Sequence, residues 1–257
     1  MKAHKRTILN TLLAMALIVS LVPLAQTAQA VSPNIVVSQV YGGGGNTGAT
    51  YTHDFIELFN RGGTSVSLAG WSVQYASATG TGNFGANAAM ITELPAITLV
   101  PGQYLLIQEA QGAGGTTPLP TPDVIDTTPI AMAATGGKVA LVNTTTPLGC
   151  NGSSTPCSPA ALAQIVDLVG YGNANFFEGA GATPAPSNTT SVSRVSGGCT
   201  DTDNNNADFF AAAPAPRNTA SPFNHCEAPR VASTSPANGA LNVARDANIA
   251  INFNEPV

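Results

Sequence analysis

A chain of 257 residues is long enough for one large domain or two small ones, and with only 9% charged side chains it lacks the clustered Glu, Lys and Leu that long helices need. The 9 basic and 14 acidic residues give a net charge of −5; without Lys2, Lys5 and Arg6 the balance is 6 against 14, net −8. Such a surface repels a phosphate backbone and argues against a nucleic-acid grip by this stretch.

The chain opens on Lys2, His4, Lys5 and Arg6, continues through an apolar run from Ile8 to Leu24 broken by Asn10 and Pro23, and reaches Ala28-Gln29-Ala30, a small-x-small cleavage pattern. We read residues 1–30 as a cleaved signal peptide, which places the rest outside the cytoplasm, secreted or on the cell surface. No cysteine stands near the site to take a lipid. No later stretch approaches the roughly 20 apolar residues of a spanning helix, so no membrane span is expected.

Asn34 to Tyr41 is β-branched and apolar and predicts a first strand. Gly42 to Gly45 follows without the Gly-Lys-Ser/Thr ending of a phosphate loop, so it reads as a flexible connection. His53 to Asn60 predicts a second strand, with Ile56 and Leu58 on one face and Phe55, Glu57 and Phe59 on the other. The run Ser67 to Tyr75 holds the only tryptophan. A side-chain period of two puts Trp71, Val73 and Tyr75 on a core face and turns Ser72 and Gln74 to solvent. Trp71 buries on the order of 200 Å² and is expected at the centre of a sheet-on-sheet core.

Ile97–Val100 and Tyr104–Gln108 read as a hairpin around Pro101-Gly102. Ala110 to Pro129 is loop, and further strands fall at Lys138–Asn143, Ile165–Tyr171 and Ser191–Val195. Short strands parted by turn signals, with no helical period, predict an all-β sandwich over residues 31–226. Glu227 to Arg230 reads as a boundary. Residues 227–257 read as the start of a second β domain: a strand, a turn at Pro236-Ala237-Asn238-Gly239, then the strand Ala247–Phe253. That segment is too short to close a core by itself, so we expect a longer protein whose second domain is incomplete here.

Four cysteines in the exported part, Cys150, Cys157, Cys199 and Cys226, predict two disulfides. Of three pairings, Cys150–Cys157 with Cys199–Cys226 joins nearest neighbours and brackets two Pro/Gly/Asn-rich loops. The paired C-x-x-C spacing of a zinc site is absent.

Several short motifs carry a family likeness. Val37-Ser38-Gln39-Val40-Tyr41 with its four glycines, Asp54 through Asn60, Leu68-Ala69-Gly70-Trp71, Gly136 through Leu141, Val166 through Gly172, Asp201 through Asn205, Asp208-Phe209 and Pro216-Arg217-Asn218 occur in an order that resembles bacterial lamin-tail domains over residues 34–220. The tail from Pro229, with Ser235 to Gly239 and Phe253 to Val257, is similar to the opening of a bacterial Ig-like domain of the S-layer type. The resemblance implies an immunoglobulin-like β-sandwich that serves as a non-catalytic binding or anchoring module. It also implies an alternative, the N-terminal accessory region of a secreted nuclease of the endonuclease/exonuclease/phosphatase class whose catalytic domain is not in this chain.

The residues offer little chemistry to set against that. His53 and His225 are the histidines left after the leader, and neither lies in a motif with a nucleophile. Asp54 and Glu57, three apart on a strand, point to opposite faces and cannot serve one substrate as an acid/base pair. Asp201, Asp203 and Asn205 place oxygens at positions one, three and five of a polar loop that also holds Asp208, like the first half of a calcium loop, but Asn206 stands where glycine is wanted and Ala212 where the closing glutamate should be. The alternative is a turn whose Asp and Asn side chains bond their own backbone. Arg61, Arg194 and Arg217 are isolated, each expected to pair with a nearby acid. The expectation is therefore a non-enzymatic module with calcium as its one candidate cofactor and an extracellular ligand of unknown identity.

Overall fold

β-branched and aromatic residues at alternating spacing build ten strands of a two-sheet sandwich and a small two-stranded ribbon beside it in the computed structural model, which describes Ser32, residues 34–226 and residues 231–253. The leader expected at 1–30 and the junction at 227–230 lie outside the described residues. The strands are β1 (Ile35–Tyr41), β2 (His53–Asn60), β3 (Val66–Ser67), β4 (Ser72–Ser77), β5 (Ile91–Glu93), β6 (Thr98–Leu99), β7 (Tyr104–Gln111), β8 (Val124–Ile125), β9 (Gly137–Val142), β10 (Ile165–Tyr171), β11 (Ser191–Arg194) and β12 (Phe209–Ala212). Two helices of one turn, α1 (Pro159–Leu162) and α2 (Asn205–Asp208), sit in the connections. Among the described residues no helix is long and apolar enough to cross a membrane.

One sheet runs β12-β11-β1-β2-β7-β8 and the other β10-β9-β4-β5. Their inner faces meet in a core that takes Val37, Val40, Ile56, Leu58, Leu105, Ile107 and Val192 from the first, and Val73, Tyr75, Val139, Leu141, Val169 and Tyr171 from the second. This is the expected all-β sandwich, and Ile56 and Leu58 face inward as their alternation requires.

Trp71 is not its centre. It is half-buried and packs on the rim, because it closes a turn before β4, its amide donating to Leu68 O at 3.0 Å. Ser72 and Gln74 are not solvated either; both are fully buried. The outer face of this sheet is roofed by the connection that contains Cys150–Cys157, and the two side chains bond to it. Ser72 Oγ donates to Thr144 O at 2.7 Å, Gln74 Nε2 donates to Thr146 O at 3.0 Å, and Gln74 Oε1 accepts from Leu148 N at 3.0 Å. Phe84, Leu148, Leu168 and Phe176 fill the space beneath that roof. The hairpin expected around Pro101-Gly102 is also corrected: β6 pairs with β3 and β7 with β2, so the turn joins two different sheets.

The larger sheet is covered outside as well. Tyr41, Phe55, Leu106 and Leu119 form one apolar layer there and Val36, Phe59 and Tyr104 another. Covered on both faces, β1, β2 and β7 are buried along nearly their whole length, their polar residues included. The glycines after β1 permit the top of this sheet to close: Gly45 has φ +67° and lies so near Gly112 that a Cβ would meet its nitrogen at 2.1 Å.

The disulfides are Cys150–Cys157 and Cys199–Cys226, as expected. With separations of 7 and 27 residues, chain entropy assigns them about 2.5 and about 3.5 kcal/mol. Replacing each pair by serines should lower the denaturation midpoint in that order, the Cys199–Cys226 variant losing more. Beyond the junction, β13 (Val231–Ser235) and β14 (Ala250–Phe253) form a separate antiparallel ribbon. Leu241 and Ile249 beside it are 87% and 78% exposed, as a segment without its own core requires.

Candidate functional site

The polar loop after Cys199 and the charges beneath it bring several ionisable groups together. Asp201 accepts from Arg194 Nη1 at 2.9 Å and lies 3.8 Å from Arg61 Nη1. Asp208, at the end of α2, accepts from Thr202 N (2.8 Å), Thr202 Oγ1 (2.7 Å) and Asn204 N (3.2 Å), so it closes the loop on itself. Asp203 stands at the tip with φ +54°. Asn205 points the other way: fully buried, it donates to Leu168 O and accepts from Gly170 N, both at 2.8 Å, along the free edge of β10. The fold thus does not draw Asp201, Asp203, Asn205 and Asp208 onto one point, as a calcium loop would. Their oxygens serve an arginine, the loop's own amides and a strand edge. Melting curves in millimolar calcium and in chelator should agree within about 1 °C, since an ion without affinity for the native state shifts nothing.

Below the loop, Arg194 is wholly buried and binds Asp167 through both oxygens, at 2.9 and 2.8 Å, while its Nε donates to Val37 O at 3.0 Å. The guanidinium also lies 4.4 Å over the Phe209 ring. Asp167 accepts from Val37 N at 2.5 Å. That amide is released from the ladder by a bulge between Val37 and Gln39, and a second bulge between Ile165 and Asp167 turns the carboxylate toward it. Glu178 accepts from Leu168 N and Asn205 Nδ2 at 3.1 and 3.2 Å. Oxygens of Asp167, Glu178 and Asp201 lie within 4.8 Å of one another, and Arg194 bonds to Asp167 and Asp201. Burial, then the neighbouring Asp167 charge, raises the Glu178 carboxyl well above its ordinary range.

The other acids of the sandwich interior and its margin are likewise engaged. Glu57, on the outer face of β2, accepts from Arg217 Nη2 (2.7 Å), Nε (3.2 Å) and N (2.7 Å), and from Ser38 Oγ at 2.5 Å. The Arg217 guanidinium is 3.7 Å from the Tyr104 ring centre. Asp54 accepts from Gly44 N at 2.8 Å and Met132 N at 2.9 Å. Burial lifts its carboxyl to about 7 against those two amides. Glu109 accepts from Thr92 Oγ1 at 2.9 Å and Ile130 N at 2.7 Å, and burial lifts it to about 8. Asp123 fastens the C-terminal segment to β7 by accepting from Leu106 N and Thr219 N, at 2.8 and 3.0 Å. Asp54 and Glu57 hold separate partners, and His53 Nδ1 lies 2.9 Å from Thr52 Oγ1.

The expected arginine pairings are all present: Arg61 and Arg194 with Asp201, and Arg217 with Glu57. Sequence reading did not single out Asp167, Glu178, Glu109 or Asp123. The one available signal was an acid inside an apolar strand, as in Val-Asp-Leu-Val and Leu-Ile-Gln-Glu-Ala. What these groups do chemically is accept from backbone amides and, for Asp167, pair with Arg194.

Comparison with known proteins agrees with this architecture. The Lamin Tail Domain family matches residues 28–172, and the Bacterial Ig-like domain family matches residues 226–257. No curated protein sequence matches the chain. Among solved structures, the crystal structure of a DUF4876 family protein from Bacteroides thetaiotaomicron VPI-5482 is similar at 11% identity, over 75% of this chain and 74% of that one, with a TM-score of 0.43. With more than half its length matched and a two-sheet sandwich built from the matched strands, the chain belongs to the lamin tail domain family.

Proposed function

We propose that this chain is an exported, non-catalytic module that binds or anchors a partner outside the cytoplasm, with residues 31–226 as the sandwich and residues 227–257 leading into an Ig-like domain. The observation that carries this reading is the use made of the buried acids. Asp167, Glu57, Asp54 and Glu109 each accept from arginine or from backbone amides, which stiffens a scaffold and spends the groups that hydrolysis would need. The two disulfides suit an oxidising compartment. Loops on such a rigid frame are where a partner is met.

A tagged full chain expressed in a bacterial host should appear in the exported fraction with its leader removed, and the purified chain should leave plasmid DNA intact with magnesium present. Retention in the cytoplasm would overturn export. Nicking or degradation of the DNA that co-purifies with the chain would overturn the non-catalytic reading.

A further inference from the structure

The two sheets do not treat their edges alike. The outer edge of β10 is sealed: the Asn205 side chain bonds Leu168 O and Gly170 N, Glu178 takes Leu168 N, and Thr183 N donates to Gly170 O at 2.8 Å. A side chain has taken the place of a neighbouring strand, a known way of blocking edge pairing.

At the opposite side, β5 and β8 end their sheets, and Thr128 Oγ1, beyond β8, donates to Ala88 O, before β5, at 3.3 Å. Leu94 N donates to Trp71 O at 2.8 Å. The antiparallel ladder alternates from that pair, so Thr92 faces β4 while the backbone groups of Ile91 and Glu93 point outward. Likewise Asp123 N donates to Leu106 O at 2.9 Å, so the peptide groups of Val124 point away from β7. These outward groups face a cleft of about 330 Å³ between the edges, lined by Ala88, Ile91, Glu93, Ile125, Asp126 and Thr128 among others. Ile125 is 64% exposed on its wall. Its ionisable side chains are both acidic, Glu93 and Asp126.

We propose that this cleft accepts an extended peptide carrying basic side chains, which adds as a strand to the β5 edge. Two outward residues at i and i+2 offer a main-chain ladder, the usual basis of strand addition. Ile91 and Ile125 give apolar contact, and the acidic rim selects the charge. A second copy of the chain is the wrong occupant, since two rims bearing Glu93 and Asp126 would meet like to like. The proposal deepens the binding-module reading and rests on it.

The test uses the purified chain and three labelled octapeptides: alternating Lys-Val, alternating Glu-Val, and Lys-Val with every backbone amide N-methylated. Anisotropy should show the Lys-Val peptide binding at least about tenfold more tightly than either of the others, as two charge pairs and a ladder imply. Amide shifts should centre on Ile91, Glu93 and Val124. The double variant Glu93→Lys, Asp126→Lys should reverse the order of the two charged peptides, a result that unfolding cannot produce. Equal affinities, unchanged binding of the N-methylated peptide, shifts centred elsewhere, self-association through β5, or no binding at millimolar peptide would each overturn the proposal. A chain that is exported and leaves DNA intact yet ignores the peptides loses the groove and keeps the module reading; one that binds them but stays in the cytoplasm does the reverse.

Discussion

Replacing Arg194 by alanine should destabilise the sandwich by about 3–5 kcal/mol, the cost of leaving a buried charge without its partner. Asp167 and Arg194 are both fully buried, and the arginine is the cation between Asp167 and Asp201. The same guanidinium holds Val37 O and covers Phe209, so packing is lost along with charge. The double variant Arg194→Met, Asp167→Asn should recover much of that loss, because neither replacement carries charge and methionine refills the volume. Chemical denaturation of the three proteins checks both statements. A loss below about 1 kcal/mol in Arg194→Ala would show that the charges rearrange or reach water.

The second large effect is with pH. Stability should fall as pH rises from 5 to 8. Asp54 and Glu109 are held by burial at about 7 and about 8 instead of the ordinary carboxyl range. Between ordinary and raised values the native chain binds more protons than the unfolded one. The slope of unfolding free energy with pH is then negative. Stability from these groups is fully present below the unfolded value and is lost as pH climbs through the folded one. Each carboxyl contributes about 1.4 kcal/mol for every unit of that interval, so the whole fall is on the order of 4 kcal/mol or more. Glu178 acts in the same sense, its carboxyl also raised by burial. His53, lowered by burial, opposes them weakly near its own range. Lys138, lowered to about 8 by burial, begins to lose its proton in the native state at the top of this window and there opposes the fall. Glu109→Gln keeps an acceptor for Ile130 N and a donor for Thr92 Oγ1, and should remove one carboxyl's share of the slope. Melting temperatures across the window measure it; a flat profile would mean that water reaches these carboxylates.

The strands themselves were legible because period-two alternation and β-branched runs act locally. β2 and β10 fall on the predicted residues, and the nearest-neighbour disulfides follow from spacing alone. The misreadings share one physical cause. Ser72 and Gln74 look like solvent-facing residues until one knows that Thr144 to Leu148 folds over them and supplies the bonds water would have made. Trp71 looks like a core residue until the turn that holds it at the rim is seen. The Pro101-Gly102 turn looks like a hairpin because nothing local says that its two arms belong to different sheets. In the polar loop, Asp and Asn spacing was visible, but the inward swing of Asn205 depends on a strand 35 residues earlier. Short β5, β8 and β12 gave no periodic signal at all, and the open cleft lies between two of them.

The arrangement of β11 bears on where this unit can be cut. The family match stops at residue 172, yet β11 lies against β1, with Gln39 opposite Ser193 and Val40 opposite Val192. A gene truncated after the matched segment would strip β1 of its neighbour, expose its amides to any passing strand, and leave Asp167 facing an empty socket. The autonomous unit of folding is thus longer than the stretch by which kinship is recognised, and excision must respect the former.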